Sequence, residues 1–140
     1  MHDFKRFPEL AGEDLDLYYW DSPHRQIFEN FHAKVVDVHD GDTIKVLWSE
    51  RDFAFPIRFN NTAAPELNEK GGIESRNWLR SQLLGKEVEV IIDLNNRVEK
   101  WGRLLGQINV GGFDIGEISA LEGHSVPWAQ RKDGVIEDII

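Results

Sequence analysis

The sequence predicts a β-rich α+β fold: a five-stranded barrel with two or three helices, preceded by an N-terminal arm. Two observations carry this prediction. Five short runs of β-branched and aromatic residues alternate with polar residues, which is typical of half-buried strands. One segment between the third and fourth runs instead repeats its leucines at helical spacing. The chain of 140 residues has the length of one domain.

The strands are predicted from this alternation and from the turns between them. Asp40-Gly41-Asp42 separates the first two runs and is typical of a hairpin turn. Pro56 lies inside the third run, and because proline cannot donate a ladder hydrogen bond, it indicates an edge strand or a bulge. The predicted strands, all expected to pair antiparallel, are 33–38, 43–48, 53–59, 86–93 and 104–110.

Glycines mark the ends of the helices predicted within the barrel. The helix at 73–84 has Leu79 and Leu83 on one face and ends at Gly85. A second, shorter helix is predicted at 113–121. The order of three strands, a helix, two strands and a helix is typical of the OB-fold barrel, which we expect over residues 33–140.

Residues 1–32 are predicted to form an acidic arm ahead of the barrel. Ser22 and Pro23 are typical of a helix start, and a short helix is predicted at 24–31. The aromatic run at 18–20 lies among acidic residues and is a candidate docking segment for a protein partner, or a lid over an anion site. The structural alternative is that these rings attach the arm to the barrel.

The composition excludes several kinds of site. The chain has no cysteine, which excludes disulfides, zinc–thiolate centres, iron–sulfur clusters and cysteine nucleophiles. The net charge of -9, from 25 acidic and 16 basic residues, weakens any case for strong sequence-independent binding to nucleic acid. No apolar run reaches the roughly 18 residues of a membrane span, and no signal peptide is visible. We therefore expect no membrane partner and a cytoplasmic location, although a mature secreted protein would show the same features.

Four elements of the sequence suit phosphoryl chemistry. Asp40 and Asp42 share one turn and can offer carboxylate oxygens to a hard cation. Arg58 lies on the polar face of the third strand, Glu66 follows it after eight residues, and Arg103 precedes the fifth strand. A cation polarises a phosphoryl oxygen, guanidinium groups hold the developing charge, and a carboxylate activates water.

Three of these four elements also have an ordinary structural interpretation. The segment 40–43 is compatible with a plain hairpin turn, because Asp and Gly are common turn residues. Arg58 is compatible with a surface ion pair to Glu87 or Glu89. Arg103 is compatible with a charge at the start of a strand. The occurrence of all four elements in order favours the chemical interpretation.

Residues 33–130 resemble the staphylococcal nuclease, or thermonuclease, family. The resemblance rests on 38–43 (VHDGDT), on Arg58 with Pro65-Glu66, and on 101–103 (WGR), in that order. It implies an OB-fold barrel that hydrolyses DNA or RNA phosphodiester bonds with Ca²⁺.

The resemblance also implies roles for individual residues. Glu66 matches the general base of the family, and Arg58 and Arg103 match the two arginines that bind the scissile phosphate. Trp101 stands where the family commonly has tyrosine, and with Lys100 it is a candidate for contacting nucleic acid.

One departure concerns the metal site. The resemblance implies Asp42 and the backbone carbonyl of Ala64 as ligands, with Asp40 as a candidate outer ligand. The family usually has a ligating aspartate at the position of Ala63, so Ca²⁺ affinity is expected to be weakened. A degenerate natural member, a rearranged metal site and an engineered inactivating substitution would all explain this alanine.

Two other functions remain compatible with the sequence. A non-catalytic module that binds nucleic acid or protein is favoured by Ala63 and by the charge of -9, but it has no need of Glu66. A protein-interaction domain would act through the arm, with the barrel as its scaffold.

Overall fold

The structure is a computed structural model that describes residues 9–11, 15, 22 and 24–127. Within these residues it contains a barrel, a two-stranded ribbon and two helices, neither of which is long and apolar enough to cross a membrane. The elements in chain order are β1 (Phe31–Asp40), β2 (Thr43–Leu47), β3 (Phe55–Phe59), β4 (Thr62–Ala63), α1 (Gly72–Leu83), β5 (Glu87–Ile91), β6 (Leu104–Val110), β7 (Phe113–Asp114), α2 (Ile115–Leu121) and β8 (Val126–Pro127).

The barrel contains five strands in the order β3-β2-β1-β5-β6 and closes where β3 pairs with β6. β1 pairs antiparallel with both β2 and β5, and the pairs β2–β3 and β5–β6 are also antiparallel. The closing pair is parallel, so the expectation of a wholly antiparallel sheet was wrong. The predicted five-stranded barrel of OB-fold type is confirmed.

Large apolar side chains fill the barrel, and α1 covers one side of it. Phe55, Ile44 and Leu104 are among the fully buried residues of the core. α1 packs against β1 and buries Leu79 and Leu83, the two leucines that predicted the helix. α1 ends at Leu83, close to the end predicted from Gly85.

β3 is not an edge strand, which corrects the interpretation of Pro56. It pairs with β2 on one side and with β6 on the other. The pairing with β6 begins at Ile57, one residue after the proline. Pro56 is therefore tolerated because it precedes the residues that pair with β6, so its missing N–H costs no hydrogen bond in the parallel pair.

The helix predicted at 24–31 is wrong. Residues 24–30 form no regular element, and Phe31 is already part of β1, where it pairs with Val90. Pairing in the sheet overrides the local helix signal. Ile27 and Phe31 nevertheless both belong to the hydrophobic core. The aromatic run at 18–20 lies outside the described residues.

The segment predicted as one helix at 113–121 is divided between a strand and a helix. Residues 113–114 form β7, and α2 begins at Ile115 after Asp114. The Asp114 carboxylate accepts hydrogen bonds from Gly116 N at 2.9 Å and Glu117 N at 3.3 Å, and from Asn61 Nδ2 at 2.7 Å. Asp114 therefore caps the helix and ties it to the loop between β3 and β4.

We expect Asp114→Ala to lower the free energy of unfolding by about 1–2 kcal/mol, because two amides at the start of α2 lose their acceptor. Urea denaturation followed by circular dichroism measures this change. Asp114→Asn retains an acceptor oxygen and should keep most of the stability. Equal losses in the two variants would contradict a capping role.

Candidate active site

One cleft of about 640 Å³ gathers charged side chains from separate parts of the chain. Asp40 and Asp42 reach it from the β1–β2 turn, and Arg58 reaches it from β3. Glu66 follows β4, and Arg103 precedes β6. The structure therefore brings together the five charged residues that the sequence singled out.

The β1–β2 turn lies against α1 and the segment after β4 because Gly41 has no side chain. A Cβ at this position would lie 1.9 Å from Ser75 Oγ and 2.6 Å from Ala64 Cβ, closer than real contacts allow. Ser75 Oγ itself donates a hydrogen bond to the His124 carbonyl at 2.7 Å. The glycine is thus required by this close approach.

The Asp42 carboxylate joins three parts of the cleft. Its Oδ1 accepts a hydrogen bond from Thr43 Oγ1 at 3.2 Å, and its Oδ2 accepts one from Ala64 N at 2.8 Å. Oδ2 also lies 3.2 Å from Arg58 Nη2, and both side chains of this ion pair are only 10% exposed. Asp42 therefore fixes the turn, β3 and the segment after β4 relative to one another.

Arg58 is held on a second side by backbone carbonyls. Its Nη1 donates to the Phe59 carbonyl at 2.6 Å and to the Thr62 carbonyl at 2.9 Å. The guanidinium is consequently rigid before any ligand arrives, and it presents a fixed positive charge at the base of the cleft.

The surroundings of Asp40 perturb its carboxyl group strongly. Burial raises the pKa of Asp40 to about 8, and the charges of Asp42 and Glu66 act in the same direction. Asp40 Oδ1 accepts a hydrogen bond from Asp42 N at 3.1 Å. The turn therefore concentrates carboxyl oxygens on one side of the cleft.

Glu66 lines the cleft with an exposed side chain, and its backbone sets its position. Its amide donates to Glu69 Oε1 at 2.6 Å. Gly72, at the start of α1, packs so closely that a Cβ there would lie 1.9 Å from the Glu66 carbonyl oxygen. Gly72 thus lets the start of α1 approach the backbone of the predicted base.

Glu99 organises the loop that carries Trp101 and Arg103. Its Oε1 accepts hydrogen bonds from Trp101 N at 2.9 Å and Arg103 N at 3.0 Å, and its Oε2 accepts one from Arg103 Nη2 at 3.2 Å. Arg103 Nη1 also lies 3.5 Å from Thr43 Oγ1. The sequence interpretation missed Glu99, although an acidic residue four positions before the arginine was a usable signal.

Trp101 and Lys100 stand at the rim of the cleft. The Trp101 side chain is 58% exposed, so it is not a core aromatic residue. Lys100 Nζ lies 5.1 Å from the Trp101 ring centroid, and both residues line the cleft. Their exposure leaves a flat ring and a cation accessible to a ligand.

The two alanines of the expected metal position are buried. Ala63 is 0% exposed and pairs with Val126 in the β4–β8 ribbon, while Ala64 is 1% exposed. Neither residue lines the cleft. Within the part of the chain that the structure describes, no group of three or more His, Cys, Asp or Glu side chains is arranged to hold a metal ion.

The chain is similar to two proteins that are described as uncharacterized endonucleases and to one described only as an uncharacterized protein. No family model matches the chain. An uncharacterized endonuclease of Escherichia coli O157:H7 is 39% identical over 102 residues, which are 72% of this chain and 63% of that protein. The same values hold for an uncharacterized endonuclease of Escherichia coli. An uncharacterized protein of Bacillus anthracis is 30% identical over 104 residues, 70% of this chain and 48% of its own length.

Each match covers only part of the relative's length. The chain spans 63% of the length of the first two relatives and 48% of the third. Together with the five-stranded barrel, the similarity fits the nuclease-like OB-fold that the sequence predicts.

We expect Gly41→Ala to lower the free energy of unfolding by about 1–3 kcal/mol, because the added methyl group overpacks the turn against Ser75. Equilibrium urea denaturation measures this loss. Ser75→Ala removes the oxygen atom that the methyl would meet, so the penalty should be smaller in the double variant. Strictly additive effects of the two substitutions would contradict the contact.

Proposed function

We propose that the chain is a thermonuclease-type phosphodiesterase that hydrolyses DNA or RNA with the help of a divalent cation. The observation that carries this proposal is the convergence of two guanidinium groups, a glutamate and two aspartates on one cleft. The similarity to proteins described as endonucleases supports the same class of substrate.

Arg58 and Arg103 would bind the scissile phosphate and stabilise the negative charge of its transition state. Arg58 is already fixed by two carbonyls and by Asp42, so little reorganisation is needed when charge develops. Arg103 is oriented by Glu99, and its guanidinium has five N–H donors to divide between that carboxylate and a phosphate oxygen.

Glu66 would act as the general base. Its side chain is exposed within the cleft, where a carboxylate can accept a proton from a water molecule that attacks phosphorus. Trp101 would stack on a nucleobase, and Lys100 beside it would neutralise a neighbouring phosphate. These contacts would place the scissile bond between the base and the two arginines.

The donor set fits a hard cation in part. Asp42 offers a carboxylate, and Asp40 beside it, whose pKa is raised to about 8, would act as an outer ligand. We propose the Ala64 carbonyl as a further ligand, whereas the side chain of Ala63 offers no oxygen. Ca²⁺ takes roughly 6–8 oxygens, so water would complete its shell and its affinity would be reduced. When bound, the cation would neutralise charge on the phosphate.

A non-catalytic binding module is the second candidate. Ala63 favours it, and so does the pairing of both arginines with internal carboxylates, Arg58 with Asp42 and Arg103 with Glu99. Such a site would hold a nucleic acid or protein ligand without cleaving it.

We expect Arg103→Ala to lower kcat on single-stranded DNA by about 10²–10³-fold in the presence of Ca²⁺, because one donor to the transition-state charge is lost. A fluorogenic oligonucleotide assay measures the rate. Arg76→Ala, which removes an arginine from α1 outside the cleft, is the matched control and should stay near wild type. A loss of less than about tenfold for Arg103→Ala would overturn the assignment of this residue.

We expect Ala63→Asp to strengthen Ca²⁺ binding by roughly an order of magnitude, because it adds a carboxylate to the ligand set. The position is fully buried, so the new charge should lower the melting temperature of the variant when a chelator removes Ca²⁺. Because Ca²⁺ binds the variant more tightly, added Ca²⁺ should raise its melting temperature by more than it raises that of the wild type. Thermal unfolding across a Ca²⁺ titration measures both effects, with Ala63→Asn as the uncharged control.

Activity assays of wild type and Ala63→Asp separate the candidate functions. Cleavage by the variant alone would indicate a disabled nuclease, and cleavage by both would indicate a rearranged metal site. Salt-sensitive DNA binding without cleavage in either protein would favour the binding module. An unchanged Ca²⁺ response in the variant would contradict the proposed ligand position.

A further inference from the structure

We propose that Glu9 is a positioning residue that fastens the N-terminal segment to the loop carrying Trp101 and Arg103. Because this loop matters for catalysis only if the cleft is a nuclease site, the kinetic consequence rests on the proposed function. The structural consequence, a loop held in place by the arm, does not depend on that function.

The Glu9 carboxylate is buried between Arg51, from the β2–β3 connection, and Arg97, from the β5–β6 connection. Arg51 Nη1 and Nη2 donate to its two oxygens at 2.7 and 3.2 Å, and Arg97 Nη1 lies 3.9 Å from Oε2. The three side chains are at most 5% exposed. Removing one member of such a buried pair leaves an uncompensated charge, so the attachment of the arm is specific and costly to break.

Further contacts hold the residue after Glu9. Leu10 N donates to Gln26 Oε1 at 2.6 Å, and the Leu10 carbonyl accepts a hydrogen bond from Arg97 Nη2. Arg97 Nη1 also donates to the Ile27 carbonyl at 3.0 Å. Arg97 thus holds the segment at 9–10 and the segment that leads into β1 together.

The segment at 9–10 contacts the loop between β5 and β6, which carries Trp101 and Arg103 and is called the cleft loop below, at two points. Glu9 N donates to the Gly102 carbonyl at 3.0 Å, and Gly102 lies directly between Trp101 and Arg103. Arg97 stands at the start of the same loop, where its carbonyl accepts from Leu105 N at 2.8 Å. Glu9 therefore contacts the loop near its start through the carboxylate and near its tip through the backbone.

The segment holds the loop from outside the cleft. Of the described arm residues, none of 9–11 lines the cleft, whereas Lys100, Trp101 and Arg103 do. The docked segment therefore leaves the site open and acts on the orientation of Arg103, not on the access of a ligand.

The test compares Glu9→Gln with Glu50→Gln in the full chain. Glu50 forms an exposed ion pair with Arg25, with side chains 53% and 67% exposed, so the control makes the same chemical change away from the loop. Hydrogen exchange measured by mass spectrometry reports on the amides of Trp101, Gly102 and Arg103, all hydrogen-bonded in the native loop. We expect exchange there to become about tenfold faster in Glu9→Gln and to stay unchanged in Glu50→Gln.

The kinetic readout separates positioning from simple instability. We expect kcat of Glu9→Gln to fall by about ten- to a hundredfold with a smaller change in KM, because a small displacement of a catalytic group costs this much. Leu79→Ala, a core substitution in α1, controls for general destabilisation. Gln26→Leu removes the acceptor for Leu10 N without an unpaired charge, and it provides the test if Glu9→Gln does not fold.

The outcomes are distinguishable. Faster exchange that is confined to the loop in Glu9→Gln or Gln26→Leu supports the positioning role. If the wild-type protein shows no cleavage, this result still supports the positioning role, and only the proposed function fails. Exchange in the loop that is unchanged, or that rises uniformly with β1 and β5 as in Leu79→Ala, overturns the inference.

Discussion

The ion pair between Asp42 and Arg58 is the contact on which the geometry of the cleft depends. It joins the β1–β2 turn to β3, and the same carboxylate oxygen accepts the Ala64 amide. A buried ion pair adds little net stability compared with a well-packed apolar pair, but losing one partner costs about 3–5 kcal/mol. The pair therefore specifies one arrangement of the turn more than it stabilises the barrel, and Gly41 makes that arrangement sterically possible.

The same pairing explains how an acidic protein can offer a site for an anion. With a net charge of -9, long-range attraction of a polyanion is weak, so any phosphate site must be local. Arg58 and Arg103 supply that local charge, and each is oriented by its own carboxylate, Asp42 or Glu99. A phosphate bound at the proposed site would share these guanidinium groups with the internal partners, which would lower its affinity but keep the donors oriented.

The arm shows how buried charge can be compensated by more than one kind of contact. Arg51 pairs with Glu9, and its guanidinium lies 4.4 Å from the centroid of the Phe55 ring. Arg97 similarly lies 4.7 Å from the Phe28 ring centroid. Cation–π contacts of this kind offset part of the cost of burying the two charges, so the barrel can hold an acidic segment next to its cleft loop.

The sequence by itself determined the barrel strands, the helix α1 and the group of residues that share the cleft. Alternation and leucine spacing report which faces are buried, and burial patterns are local properties of the chain. The order of the aspartates, Arg58, Glu66 and Arg103, with the family resemblance that it carries, predicted that these side chains lie together, and they line one cleft. The bounds of β6, Leu104–Val110, matched the prediction because two glycines end the strand.

Only the tertiary structure decided which charges pair, and how the barrel closes. The parallel β3–β6 pair, the partner of Arg58 and the attachment of Glu9 all join residues far apart in the chain. Local periodicity contains no information about such partners. The helix expected at 24–31 failed for the same reason, because the pairing of Phe31 with Val90 competes with the local signal and prevails.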